Sequence, residues 1–172
     1  MPQLSEFQLA VDNLLANEGG YKPAGDPADP GGETHWGFSK RSYPTLDIAN
    51  LTKDEAIALY KSDFWDKYQL GAITDTHIAS NVLDLMVNFG PSGGAVVIQR
   101  ALNGVGVPTT VDGDFGLQSL ANCNKPDALD LLAELRAQAA LRYCRIVVRK
   151  PDEEEAIFER NLLGWLRRAV RP

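Results

Sequence analysis

Four carboxylates stand close together near the start of the chain: Glu18, Asp26, Asp29 and Glu33. Paired acids are what hydrolysis of a glycosidic bond uses, one to protonate the leaving oxygen and one to place water or stabilise positive charge. Glu18 is the better placed of the four to act as the acid. Phe7, Val11, Leu14, Leu15 and Glu18 recur at intervals of three and four, which gathers them on one helical face and turns Glu18 toward the protein. Burial disfavours the charged form, and the negative end of a helix dipole acts in the same direction, so both raise the expected pKa. A carboxylic acid still protonated near neutral pH is what general-acid cleavage requires. The same spacing also suits a plainer role, a glutamate that caps or pairs at a helix end. Asp26 and Asp29 each precede a proline, a common way to initiate a turn, and either can serve as the second carboxylate. Asp26, Asp29 and Glu33 lack the regular alternation of a calcium loop, so no metal is expected there.

Thr34 is the hydroxyl nearest this loop, able to hold a water or to cap the turn that follows. Trp36, Tyr43, Tyr60, Trp65 and Tyr68 offer flat surfaces on which sugar rings stack, or else ordinary packing. Asn88, just before Gly90-Pro91, can bind an acetamido group from a cleft or cap its own helix. His35 has no partner in sequence; it is expected to be exposed and carries no catalytic role. Neither a nucleophile elbow nor a phosphate loop is visible.

The elements that position these residues are mainly helical. A first helix over 4–18 stops at Gly19-Gly20, and 21–33 read as loop. A short turn covers Trp36 to Ser39. Thr52-Lys-Asp-Glu55 is a capping box, opening a helix that runs to about Tyr68. Thr74 or Asp75 caps the next helix, which ends at Gly90-Pro91, and Ser92 opens another that closes at Asn103-Gly104. Val111 to Gly116 reads as a turn, followed by a short helix to about Asn122. A long helix runs from Pro126 or Asp127 to near Val148, and a final amphipathic helix spans 152–170. Gln69–Ile73 and Val105–Val111 are the two candidate strands. The expected organisation is a region 1–90 carrying the acids and a helical region 91–172 packed with it as one unit.

The 172 residues are enough for one domain with a sizeable core. A net charge of −6 argues against binding to a nucleic-acid backbone. No apolar run is long enough to span a membrane, so no stable insertion is expected. The N-terminus lacks a basic start followed by an apolar core, so no secretory signal peptide is visible and the chain is expected to remain cytoplasmic unless another protein releases it. Cys123 and Cys144, without a disulfide framework, read as two buried thiols.

Taken in order, Glu18-Gly-Gly-Tyr21, Asp26-Pro-Ala-Asp-Pro-Gly-Gly32 and Thr34-His-Trp-Gly37 resemble the N-terminal motif of the N-acetylmuramidase family of phage and prophage endolysins, glycoside hydrolase family 108. Leu83-Asp-Leu-Met-Val-Asn-Phe-Gly-Pro91, Ile98-Gln-Arg-Ala-Leu-Asn103 and Val111-Asp-Gly-Asp-Phe-Gly116 are similar to the peptidoglycan-binding region that accompanies it, and Gly164-Trp165-Leu-Arg-Arg168 to its closing helix. The resemblance implies a lysozyme-like α fold that hydrolyses the β-1,4 bond between N-acetylmuramic acid and N-acetylglucosamine. It maps the family's catalytic glutamate onto Glu18, with Asp29 favoured over Asp26 as the assisting carboxylate and Thr34 beside it. Trp36, Trp65, Asn88 and Asp26 are then candidate substrate-binding residues. The implied partner is the peptidoglycan glycan strand, bound by a monomer without a cofactor, with a separate pore-forming protein for release. Phe38 departs from the pattern, standing where an aliphatic residue is expected. Two other readings use the same residues: a lytic transglycosylase, and a non-catalytic wall-binding or secretion-activator protein.

Overall fold

The structure, a computed structural model, describes residues 5–16, 20–23 and 32–148. Ser5 opens α1 (Glu6–Leu15): its hydroxyl accepts from the Gln8 amide, satisfying one of the amides a helix start leaves over. Ala10, Val11, Leu14 and Leu15 are the buried stripe of that helix, as their spacing predicts. A two-stranded antiparallel hairpin follows, β1 (Thr34–His35) and β2 (Phe38–Ser39), with Thr34 opposite Ser39 and His35 opposite Phe38. The sequence signalled only a turn here, because strands of two residues are too short to show alternation.

The capping box is present in full. The Glu55 amide donates to the Thr52 hydroxyl and the Thr52 amide to the Glu55 carboxylate, starting α2 (Lys53–Tyr60). From Lys61 to Asp66 the helix widens into a π-helical turn, which buries both Phe64 and Trp65. Leu70–Ala72 is a 3-10 turn rather than a strand, entered through Gln69 in the left-handed conformation. Val105–Val111 also forms no strand; it is loop, tied down by Asn103, which donates to the Thr109 carbonyl and accepts the Thr109 amide.

Asp75, not Thr74, caps α3 (Thr76–Gly104), accepting from the amides of His77 and Ile78. The predicted break at Gly90-Pro91 is real: Gly90 sits at φ 70°, ψ 160°, which only glycine adopts at low cost, and Pro91 restarts the helix where no amide is needed. Gly94 allows the two halves of α3 to cross closely, since a Cβ there would lie 2.8 Å from the Leu85 carbonyl oxygen and the Met86 Cα. α4 (Leu117–Asn122) and α5 (Ala128–Val148) complete the described chain. The predicted final helix, 152–170, lies outside the described residues.

α3 is the axis of the molecule, packed on α1 through its first half and extensively on α5. One continuous core joins Val11 and Leu14, through Val82, Met86, Ile98 and Leu102, to Leu131 and Leu135. The architecture is mainly α, as expected. Among the described residues no helix is long and apolar enough to cross a membrane. Both cysteines are free, but only Cys123 is buried; Cys144 is exposed on α5, against the expectation of two buried thiols. Burial pushes the Cys123 thiol up to about 12.

Candidate active site

Of the seven sequence-derived site residues, Thr34, Trp36, Trp65 and Asn88 are described; Glu18, Asp26 and Asp29 lie outside the described residues. The chain on both sides of the acidic loop is joined into one piece. The Lys22 amide donates to the Thr34 carbonyl at 2.8 Å, and the Thr34 amide returns a bond to the Lys22 carbonyl at 3.0 Å. Tyr21 Oη donates to Glu33 Oε1 at 2.8 Å, and this bond to a carboxylate is the main reason the phenol is harder to ionise than usual. Tyr21 of the Glu-Gly-Gly-Tyr segment also meets the His35 ring edge-on, at 5.5 Å between centroids.

The hairpin turn is strained by design of its sequence. Trp36 (φ 50°) and Gly37 (φ 81°) both occupy the left-handed region that a two-residue hairpin of matching twist demands. Glycine does this freely, whereas for tryptophan the cost is on the order of 1 kcal/mol or more. Three contacts hold the turn against that cost. The Trp36 indole N–H donates to the Leu51 carbonyl at 3.1 Å, Tyr60 Oη donates to the Trp36 carbonyl at 2.7 Å, and the His35 ring stacks on the indole at 5.2 Å. His35 is therefore half-buried, not exposed as expected, and its Nδ1 lies 3.2 Å from the Ile48 carbonyl, a contact that requires the proton on that nitrogen. Phe38 fills the space behind the turn, 2% exposed, with its ring against Tyr43 and Tyr60; a large aromatic suits this pocket better than an aliphatic chain would.

Thr34 is half-buried, and its hydroxyl donates to the Gly32 carbonyl at 3.1 Å, which leaves its oxygen able to accept a hydrogen bond. Trp65 is a core residue at 7% exposure, in edge contact with Phe7 and beside Gly71, where a Cβ would approach the indole nitrogen to 3.3 Å. So much burial leaves little of its ring to offer a sugar. Asn88 is half-buried and neither caps its helix nor stands unengaged: its amide donates to Asp84 Oδ2 one turn back, at 2.8 Å.

A cleft of about 440 Å³ lies against the hairpin. Gly37 and Phe38 form one wall, Tyr43, Asp63 and Lys67 another, and the α3 break at Gly90-Pro91 a third. Tyr43 Oη donates to Asp63 Oδ2 at 2.9 Å; burial first, then this bond, keeps the phenol protonated well above its ordinary range. Asp63 and Lys67 fall three and seven residues after Tyr60, the regular spacing of one helical face, yet nothing in the sequence separates them from other charged helix residues. The signal available was Phe64-Trp65, two adjacent aromatics that an ordinary helix cannot bury equally well. The cleft mixes polar side chains, Ser42, Tyr43, Asp63 and Lys67, with apolar ones, and Thr34, Trp36, Trp65 and Asn88 are not among the residues that line it. Among the described residues no group of three or more His, Cys, Asp or Glu is placed to hold a metal.

Residues 11–90 match the model of a family described as Glycosyl hydrolase 108, and residues 94–170 match one described as Predicted Peptidoglycan domain. Among solved structures, SagA of Brucella abortus superposes with a TM-score of 0.69, covering 95% of this chain and 90% of that one at 23% identity. At that identity the likeness speaks for the fold. No curated protein sequence matches the chain.

Proposed function

Because residues 11–90 make the chain a member of the glycosyl hydrolase 108 family, a glycoside hydrolase that also carries a peptidoglycan domain over 94–170, we propose that it is a lysozyme-type muramidase. It cleaves the β-1,4 bond between N-acetylmuramic acid and N-acetylglucosamine. Glu18 protonates the glycosidic oxygen, and Asp29, or Asp26 in its place, stabilises the positive charge or positions water. Thr34 accepts a hydrogen bond from that water. Trp36 and Asn88 face the glycan, and Asp63 and Lys67 bind its polar groups along the cleft. The chain works as a monomer without a cofactor, is made in the cytoplasm, and reaches the wall of its host as an endolysin released by a separate pore-forming protein.

One observation carries this reading. The two backbone bonds between Lys22 and Thr34, with the Tyr21–Glu33 bond beside them, join the exit of the Glu-Gly-Gly-Tyr segment to the Thr-His-Trp-Gly hairpin that walls the cleft. Motif segments twelve residues apart in sequence are thereby held side by side, as concerted acid–base chemistry needs.

Wall hydrolysis by the parent chain and by Glu18→Gln tests the proposal, with products analysed by mass spectrometry. The amide cannot donate the proton, so activity is expected to fall at least about a thousandfold, a size typical of a lost acid. Parent products should be reducing sugars. Anhydro-sugar products would replace the hydrolase by a transglycosylase, and a Glu18→Gln chain that lyses walls as well as the parent would end the assignment of the acid.

A further inference from the structure

Between the segment 46–51 and α2 lies a groove of about 620 Å³ that glycan cleavage does not use. Its aliphatic part is Leu46, Leu51, Ala58 and Leu59, and its two acids, Asp47 and Glu55, are both exposed. Glu55, Ala58 and Leu59 recur at three and four residues on α2, which puts them on one face of that helix. The groove borders the motif hairpin. Leu51, one of its lining residues, also supplies the carbonyl that holds the Trp36 indole at 3.1 Å. The Tyr21 phenol, made harder to ionise chiefly by its bond to Glu33, also feels the Asp47 charge.

Local donors keep both acids ionised. The Asn50 side chain first, then its amide, lowers the pKa of Asp47, and the Thr52 hydroxyl first, then its amide, does the same for Glu55. Both Thr52 bonds fall on Oε2, at 2.7 and 2.9 Å, which leaves Glu55 Oε1 able to accept from a ligand. The two charges act against each other, since Asp47 opposes the ionisation of Glu55. Lys40 adds a small attraction at Asp47 but gives its ammonium to the Leu46 carbonyl at 2.7 Å. Among the described residues neither acid forms a salt bridge.

Aliphatic surface beside two fixed negative charges matches an alkyl chain that ends in an ammonium. The methylenes cover the leucine side chains, and the head stays at the wet edge within reach of the carboxylates. Sugar rings favour flat aromatic faces, and none of the described lining residues is aromatic. We infer that this groove binds the alkylammonium side chain of a diamino acid in the peptidoglycan stem peptide. The inference rests on the muramidase reading and deepens it by naming what holds the peptide that hangs from the glycan strand. Such an amine is free only where no cross-link has consumed it, so the groove favours strands not yet cross-linked.

The test is sedimentation of the full-length Glu18→Gln chain with purified wall sacculi, before and after acetylation of their free amines. Untreated walls should bind about tenfold more tightly, the size that two exposed ion pairs allow, and added salt should erode the difference. Free stem peptide with its side-chain amine intact should compete the preference away, and the same peptide acetylated there should not; neither measurement needs a groove variant. Asp47→Asn combined with Glu55→Gln should abolish the preference and leave binding to acetylated walls unchanged. Both amides still accept from Asn50 and Thr52, and matched thermal melts verify folding. Asp54→Asn combined with Asp130→Asn removes two exposed charges outside the groove and should keep the preference. Equal binding to both walls, a preference that survives loss of the groove charges or disappears in the control pair, or competition by the acetylated peptide overturns the inference. So does a preference that remains after an amidase has removed the stem peptides, which would place the amine on the glycan. Activity of the chain with Glu18 intact reports the muramidase reading separately, so either can fail alone.

Discussion

Two stretches of the chain look alike as motifs and are used in opposite ways. Around the hairpin, polar side chains are anchored at one end and presented at the other. Trp36 gives its N–H to Leu51 yet sits in a strained turn beside a cleft, and Thr34 gives its proton to Gly32 and keeps an accepting oxygen. Around Asp112-Gly-Asp-Phe-Gly116, polar groups are spent on each other. Gln99, 1% exposed, accepts the amides of Asp112 and Gly113 on its Oε1 and donates through Nε2 to Asp112 Oδ1 and to the Asp114 carbonyl. Asn103 ties the same loop at Thr109, and Asn122 donates to the Thr109 hydroxyl at 2.8 Å. The lesson is that a sequence motif marks a constrained backbone, and only the accounting of donors and acceptors tells whether the constraint serves a ligand or the fold.

The largest test of that contrast is Gln99→Leu. The substitution keeps size but leaves the Asp112 and Gly113 amides and the Asp114 carbonyl without their Gln99 partner, each unmet buried group costing about 1–3 kcal/mol. A loss of about 3 kcal/mol in urea unfolding is expected, with wall hydrolysis per folded molecule nearly unchanged. If stability held and wall binding failed instead, Gln99 would be a ligand contact and the two stretches would be of one kind.

Thr34→Val probes the other side. The Lys22–Thr34 backbone pairing survives, the hydroxyl bond to Gly32 is partly exposed, and the cost in stability is expected to stay below about 1 kcal/mol. Hydrolysis should fall at least tenfold, in kcat more than in KM, because a water-holding group acts mainly in the transition state. Activity equal to the parent's would make this hydroxyl a turn cap and nothing more.

What the sequence made legible follows the range of the forces involved. Capping at Thr52 and Asp75, the stop at Gly90-Pro91 and the bounds of α4 and α5 depend on a few neighbouring residues, so they could be read directly. The hairpin could not: its strands are too short for alternation, and its turn uses Trp36 where Asn or Gly is the usual signal, tolerated only because Leu51 and Tyr60 hold it from elsewhere in the chain. The π-helical turn likewise buries Phe64 and Trp65 together, so Trp65, read as a candidate cleft residue, packs on Phe7 instead. Gln99 was visible only as part of a motif. Nothing local indicates that its amide organises a loop thirteen residues on.

The smallest expected effect isolates the charge in that knot. The Asp114 amide, first, and then the Gln99 side chain donate to Asp112 and hold its carboxyl below the ordinary 3.8. A folded-state pKa below the unfolded one means that the charge contributes stability above the unfolded value, and that the contribution is lost as pH falls through the folded one. Asp112→Asn retains an accepting oxygen for both donors but has no charge to lose. Urea unfolding should therefore show the parent more stable than the variant at neutral pH, with the gap closing as pH drops through about 4 and below. Asp47 and Glu55, whose pKa values are also lowered by local hydrogen bonds, titrate in both proteins and cancel from the difference. A gap that stayed constant down to that acid range would mean the bonds and not the charge are what matter at Asp112. The loop would then be held by Gln99 geometry alone, and the contrast with the hairpin would reduce to which side chain happens to be buried.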